Sequence, residues 1–233
     1  MNRWFGLLLP AALACCGSTD QVTRGAADRG EALFASTKIS RNGANALACS
    51  TCHTTSSLDP RRLAGATLAG VTLRPSFWGG RQRDLLASTN DCLKFFMLDA
   101  TGLAASDPNA KDLYAYLESL PPEVTTAVPF TVVGDLLDLP GGDAARGQAP
   151  YTALCASCHG AIKTGDGRIA GAARLPDDTR TEHLAEGPEG LRKIVVEKVR
   201  HGAFLGYSGR MPPFSAEVMT DQELADVIAY LGF

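Results

Sequence analysis

The chain has 233 residues, of which 45% are hydrophobic, 20% charged and only 7% aromatic. That length suits one or two domains, and the apolar share excludes disorder over most of the chain. A net charge of −3 gives no broad electrostatic case for a nucleic-acid partner. After the N-terminus no apolar run approaches the ~18 residues that a membrane span needs.

The chain opens with Arg3 and the start amine ahead of an apolar stretch from Trp4 to Ala14. Such a stretch is a signal-peptide core rather than a transmembrane helix. Ala12-Leu13-Ala14 gives the small-x-small pattern of a cleavage site, and Cys15 follows at once. Residues 12–15 also resemble a bacterial lipobox, which implies Cys15 as the lipidated residue; Cys16 is a second candidate, and a plain cleaved signal is the alternative. Residues 1–14 are therefore expected to be removed, leaving the protein on the periplasmic side of a bacterial membrane. Residues 15–27 are small, polar and aperiodic, which predicts a flexible tether.

Gly30-Glu31-Ala32-Leu33-Phe34 predicts a short helix with a glycine for close packing and an aromatic facing the core. Cys49-Ser50-Thr51-Cys52-His53 follows, and Cys155-Ala156-Ser157-Cys158-His159 repeats the pattern 106 residues later. C-x-x-C-H is the attachment signature of c-type haem. Each thiol adds across one haem vinyl group, and a two-residue spacer lets one helical turn present both sulfurs to one porphyrin edge. The adjacent imidazole then meets the iron from the proximal side. The sequence thus predicts two haem c groups, attached at Cys49, Cys52, Cys155 and Cys158, with His53 and His159 as proximal ligands. A pair of redox or zinc C-x-x-C sites is the competing reading, but it leaves both histidines unexplained and lacks further zinc ligands.

The surroundings of the two motifs match. Gly147-Gln148-Ala149-Pro150-Tyr151 precedes the second motif much as Gly30 to Phe34 precede the first. Asp107-Pro108 predicts an N-cap and first helical position, with Leu113, Tyr114, Leu117 and Leu120 following and Pro121-Pro122 as the stop. Thr220-Asp221-Gln222-Glu223 is a capping box, with Met219 and Leu224 as its staple and Val227, Ile228 and Leu231 at helical spacing. Both terminal helices contain Ala-Tyr-Leu.

On these motifs the chain resembles tandem di-haem cytochromes c of the class I type, over about residues 26–120 and 143–233. The resemblance implies an all-α fold of two cytochrome c domains, residues 28–120 and 143–233, each a few helices around one covalently bound haem. Residues 121–142, rich in Pro, Gly and β-branched residues, form the expected linker. Its Val128, Phe130, Val132, Val133, Leu136 and Leu137 are expected to pack on the domains. The family also places a distal methionine in a loop before the last helix, and Gly209-Arg210-Met211-Pro212-Pro213-Phe214 matches it. Met211 is thereby the distal ligand of the second haem. His201 is its rival, and His183 is expected in solvent.

At the first haem two candidates stand, Cys92 and Met97. If that stretch is one helix, five residues turn through ~140°, so the two cannot face one iron. Met97 lies 19 residues before Tyr116, as Met211 does before Tyr230, which favours Met97. Asn90-Asp91-Cys92, with Met97 five residues on, is similar to thiosulfate dehydrogenases and the haem-thiolate subunit of sulfur-oxidising cytochromes, which implies Cys92. A thiolate stabilises ferric iron, whereas a thioether raises the potential. Residues 30–53 also resemble, locally, di-haem cytochrome c peroxidases. Arg61-Arg62 and Arg81 with Arg83 are basic spots for propionates, an anionic substrate or plain solvation, and Trp78 is expected on the haem edge.

These observations lead to an exported di-haem electron carrier between redox protein partners in the periplasm, with no transmembrane helix in the mature chain. The first alternative is a thiosulfate dehydrogenase-type enzyme with Cys92-ligated haem as its active site; the second is a di-haem peroxidase.

Overall fold

The computed structural model describes residues 18–132, 139–204 and 209–233. The signal segment with Cys15 and Cys16, and the linker residues Val133, Leu136 and Leu137, lie outside the described residues. Within them the chain is helical, with a single isolated bridge, Phe77 to Gln82, and no strand. No helix among the described residues is long and apolar enough to cross a membrane.

Nine α-helices follow one another among the described residues: α1 (Ser18–Phe34), α2 (Cys49–Cys52), α3 (Leu85–Phe95), α4 (Pro108–Ser119), α5 (Ala144–Pro150), α6 (Ala156–His159), α7 (Asp177–Glu182), α8 (Gly187–His201) and α9 (Asp221–Leu231). The first helix begins earlier than its sequence suggested. Residues 18–27, read as part of a tether, are its opening turns; the stretch holds no proline, and its single glycine costs a helix only about 1 kcal/mol.

Local signals set the other ends. Asp84, Asp107 and Asp143 cap α3, α4 and α5 through their carboxylates, and Thr220 with Glu223 closes the capping box of α9. Met219 and Leu224 beside that box are fully buried. Pro150 sits at the end of α5, and the chain runs on through a π-helical turn, Tyr151–Cys155, into α6.

Two helix crossings organise the molecule. Helix α1 packs on α4, and α5 packs on α9. Both crossings depend on a glycine. A Cβ at Gly30 would collide with the carbonyl oxygen of Asp112 and with Tyr116, and a Cβ at Gly147 would collide with the carbonyl of Asp226 and with Tyr230. One core gathers Phe34, Leu93, Phe96, Met97, Leu113 and Leu117. The other gathers Tyr151, Leu154, Val195, Leu224, Val227 and Ile228. Each such fully buried side chain contributes roughly 1.5–3 kcal/mol relative to exposure.

The halves are joined at several points. Arg62 pairs with Glu223 at 2.6 Å, Thr131 binds Glu217 through both its backbone nitrogen and its hydroxyl, and Trp78 stacks on Phe204. The described part of the linker touches both halves, with Leu139 packed on the C-terminal core. Val124 N donates to the Ala69 carbonyl, and the Glu123 carboxylate accepts from Ser57 N.

Candidate functional site

The first C-x-x-C-H motif is a single helical turn. Thr51 Oγ1 accepts from Ala48 N, and His53 N closes the turn on the Cys49 carbonyl at 2.9 Å. Cys49 and Cys52 therefore stand on one side, and the chain leaves extended at His53 (φ −127°, ψ 140°). Nδ1 of His53 donates to the Ala66 carbonyl at 2.8 Å. That fixes the tautomer and leaves Nε2 as a lone-pair donor. Gly65 lies so close to the imidazole that any Cβ would strike the ring.

The second motif repeats the device. His159 ends α6, and its Nδ1 donates to the Ala173 carbonyl, also at 2.8 Å. Gly160 follows with φ +70°, and its carbonyl accepts from the Tyr151 hydroxyl at 2.9 Å. Both imidazoles are pushed below the usual histidine range, first by burial; the carbonyl contacts oppose this, and the Arg74 charge adds to it at His53. They are neutral donors at physiological pH. Burial raises the thiols, Cys49 to about 11 and Cys52 and Cys155 to about 12. Cys158 is close enough to Cys52 to add to that rise, so the two motifs approach each other. None of the described cysteines is in a disulfide.

A cavity of about 380 Å³ lies against the first motif. Cys49, Cys52 and His53 form one wall, with Cys92 and Met97 also lining it. Trp78, Phe96 and the linker's Val128 and Phe130 contribute apolar surface, and Pro212, Pro213 and Ser215 enter from the C-terminal half. Pockets for cofactor-sized ligands have this size and this mostly apolar lining.

Both distal candidates line this cavity. Helix α3 stops at Phe95, and Met97 follows it with its N–H still on the Leu93 carbonyl at 3.2 Å. Leu98 has φ +59°, and the Met97 carbonyl accepts from Ser40 Oγ at 2.6 Å. The preceding residues anchor α3: Asn90 exchanges two hydrogen bonds with the Leu103 backbone, and Asp91 accepts from Gln82. Met97 is 4% exposed within the core. Cys92 is deep in the protein yet keeps accessible surface, because it faces the cavity. Burial drives its thiol far above the ordinary range, with Cys49, Cys52 and Asp91 adding to the rise. A thiolate there would need a cationic partner.

Met211 is half-buried and packs on the second core, the core that contains Cys155. Its carbonyl accepts from Ala203 N at 2.8 Å. His201, the rival, is buried and engages Glu197 one turn earlier on α8. His183 is half-buried rather than in solvent, because Lys198 folds over it with Nζ 2.9 Å from Nε2.

The basic residues singled out in the sequence all lie exposed, as their solvated reading has it. Arg61 pairs with Asp59, Arg62 pairs with Glu223, Arg81 lies over the Phe204 ring and Arg83 is exposed. The cation on the cavity wall is instead Arg74, which the sequence did not single out. It is 9% exposed, its Nε and Nη2 donate to the carbonyls of Val124, Thr67 and Ala69, and no carboxylate among the described residues pairs with it. Only the tertiary fold reveals it, since Arg74-Pro75 carries no local signal.

The donor set fits a covalently held haem: two thiols on one helical turn, an imidazole with Nδ1 on a carbonyl, two further sulfurs on the cavity wall, apolar lining and a buried Arg74. Residues 142–231 match the family model of cytochrome c oxidase, cbb3-type, subunit III. No curated protein matches the chain. Among solved structures, thiosulfate dehydrogenase (TsdBA) from Marichromatium purpuratum in its "as isolated" form is similar at 18% identity, over 90% of this chain and 45% of that one, with a TM-score of 0.42. The chain thus spans less than half the length of that protein. The described residues are all-α, which is consistent with a cytochrome c fold, and the family match covers residues 142–231.

Proposed function

We propose that the chain is an exported di-haem c-type cytochrome that passes single electrons between redox partners in the periplasm, held at the membrane through Cys15. The observation that carries this reading is the doubled histidine geometry. His53 and His159 each follow a C-x-x-C turn and each spend Nδ1 on a backbone carbonyl at 2.8 Å, presenting a neutral Nε2 twice. The haem groups supply a reversible one-electron iron couple. Cys49 and Cys52, and likewise Cys155 and Cys158, would hold them; Met211 would face the second iron, and Arg74 would meet a propionate. The apolar walls keep water from the N-terminal centre. Pyridine haemochrome assay with intact mass tests the reading. Two haems per chain are expected, falling to one when Cys49 and Cys52, or Cys155 and Cys158, are replaced by Ala. One haem in the unaltered protein contradicts it.

A second reading, a thiosulfate dehydrogenase-type enzyme, gains support from Cys92. Its sulfur faces the cavity, and ferric iron would supply the positive charge that a buried thiolate there requires. We take Cys92 as the distal ligand of the N-terminal centre, with Met97 as the packed neighbour. Thiosulfate oxidation by the holoprotein, lost in Cys92→Ala, would favour the enzyme; no turnover leaves the carrier.

A further inference from the structure

Phe204 and Arg210, which precede Met211, are seated on the other half of the molecule. Phe204 lies one residue beyond Ala203, whose backbone nitrogen holds the Met211 carbonyl. The Phe204 ring stacks on Trp78 at 5.0 Å and 11°, meets Phe95 edge-on at 5.5 Å and Phe130 at 6.2 Å, and lies under the Arg81 guanidinium at 5.9 Å. All four partners belong to the N-terminal half or the linker. On the near side of Met211, Arg210 donates to the Ala44 carbonyl at 3.1 Å, another N-terminal contact. Trp78 itself is held at φ +52°, a conformation that strains a bulky residue and persists only where surroundings enforce it. Gly79 and Gly80 continue the left-handed turn, and Gly79 packs so tightly that a Cβ would strike the Phe130 carbonyl at 2.7 Å. The turn spends backbone strain to lay the indole under Phe204.

We propose that Trp78 is a positioning residue for Met211: the N-terminal half supplies the seat that holds the distal sulfur of the C-terminal centre in place. This rests on Met211 being that distal ligand. Without the seat, the Ala203–Met211 contact loses its anchor, and the sulfur yields more readily to a competing ligand.

The test uses ferric holoprotein and added imidazole as the competitor, read by the near-infrared sulfur-to-iron charge-transfer band of the C-terminal centre. In Trp78→Leu, imidazole is expected to displace the sulfur at a concentration about ten-fold lower than in the unaltered protein, the size of losing a set of ring contacts. Trp78→Phe, which keeps a ring, is expected to stay within about two-fold. Phe204→Leu probes the same contact from the C-terminal side and decides the matter alone should Trp78→Leu lose haem or fold. Imidazole binding unchanged in the folded variant overturns the seat. Absence of the charge-transfer band from the unaltered protein instead removes Met211 as ligand, and the seat falls with it.

Discussion

In the N-terminal half, α1 meets α4 with Gly30 against the Asp112 carbonyl, Arg29 bound to Asp112 at 2.7 Å, and Phe34 tilted on Tyr116 at 5.6 Å. In the C-terminal half, α5 meets α9 with Gly147 against the Asp226 carbonyl, Arg146 bound to Asp226 at 2.9 Å, and Tyr151 tilted on Tyr230 at 5.6 Å. The proximal histidines agree as closely. The halves part company on the distal side. On the reading proposed above, one would offer sulfur from a helix, Cys92 in α3, with the buried Arg74 lining the same cavity; the other would offer Met211 from a proline-containing loop, near a buried Arg200 paired with Asp221 at 2.6 Å. The frame around the two C-x-x-C-H motifs is duplicated, while the groups proposed for the distal sides are not. Identical frames can therefore hold centres of different potential.

The sharpest way to break the shared frame is to crowd its crossings. Gly30→Ala and Gly147→Ala each force a methyl into a backbone carbonyl, and each is expected to cost about 1–3 kcal/mol or more in urea unfolding followed in the far ultraviolet. Gly43→Ala, with open space around its Cβ position, should stay within about 0.5 kcal/mol of the parent. Equal losses at Gly30 and Gly147 would mean that the two crossings carry equal weight; a loss at one alone would show that a single half dominates stability.

The distal difference is sharpened by a pair of substitutions. Cys92→Ala is expected to remove a thiolate signature from the EPR spectrum of the N-terminal centre and to raise its potential, because an anionic ligand no longer favours ferric iron. Met97→Leu conserves volume, so it should cost under about 1.5 kcal/mol and leave that spectrum intact. The opposite pattern would make Met97 the ligand and render the two distal sides alike.

Acid should weaken the C-terminal crossing through Asp226. Arg146 holds its carboxyl down at about 2, against the opposing effect of burial, with Asp143 N and Gln222 assisting. A carboxylate depressed from the ordinary ~3.9 contributes stability that is full above that value and fades as pH falls through the folded value. The difference in melting temperature between the parent and Asp226→Asn is therefore expected to be largest near neutrality and to close between pH 4 and about 2. A gap unchanged across that window would show that Asp226 acts through packing.

Most of the frame was legible because its signals are local. The two C-x-x-C-H turns, the Asp107 cap, the Thr220 box and the paired glycines each lie within a few residues and mean the same in any context. What escaped was set by tertiary contact. Ser18 to Ala27 have no apolar stripe, so their helicity shows only in the fold. The end of α3 before Met97 follows from a left-handed Leu98 and a hydrogen bond from Ser40, 57 residues away in sequence. Arg74 gains meaning only from the carbonyls that surround it. Trp78 was expected near a haem edge, and it does line the cavity; its stack on Phe204 joins positions that no spacing rule connects.

The smallest expected effect tests how much the halves depend on their surface ties. Arg62 reaches Glu223 at 2.6 Å and also donates to the Val218 carbonyl, yet its side chain is 43% exposed. Water and salt screen such a pair, so its contribution is about 0.2–1 kcal/mol. Glu223 keeps its capping role for α9 whether or not Arg62 is present, so removing the arginine isolates the tie itself. Arg62→Ala is expected to lower stability by that small amount in low salt and by less at high ionic strength. If the loss instead exceeds that of Gly147→Ala and resists salt, the pair is effectively buried by the adjoining halves, and the C-terminal crossing is braced by the N-terminal half through Arg62.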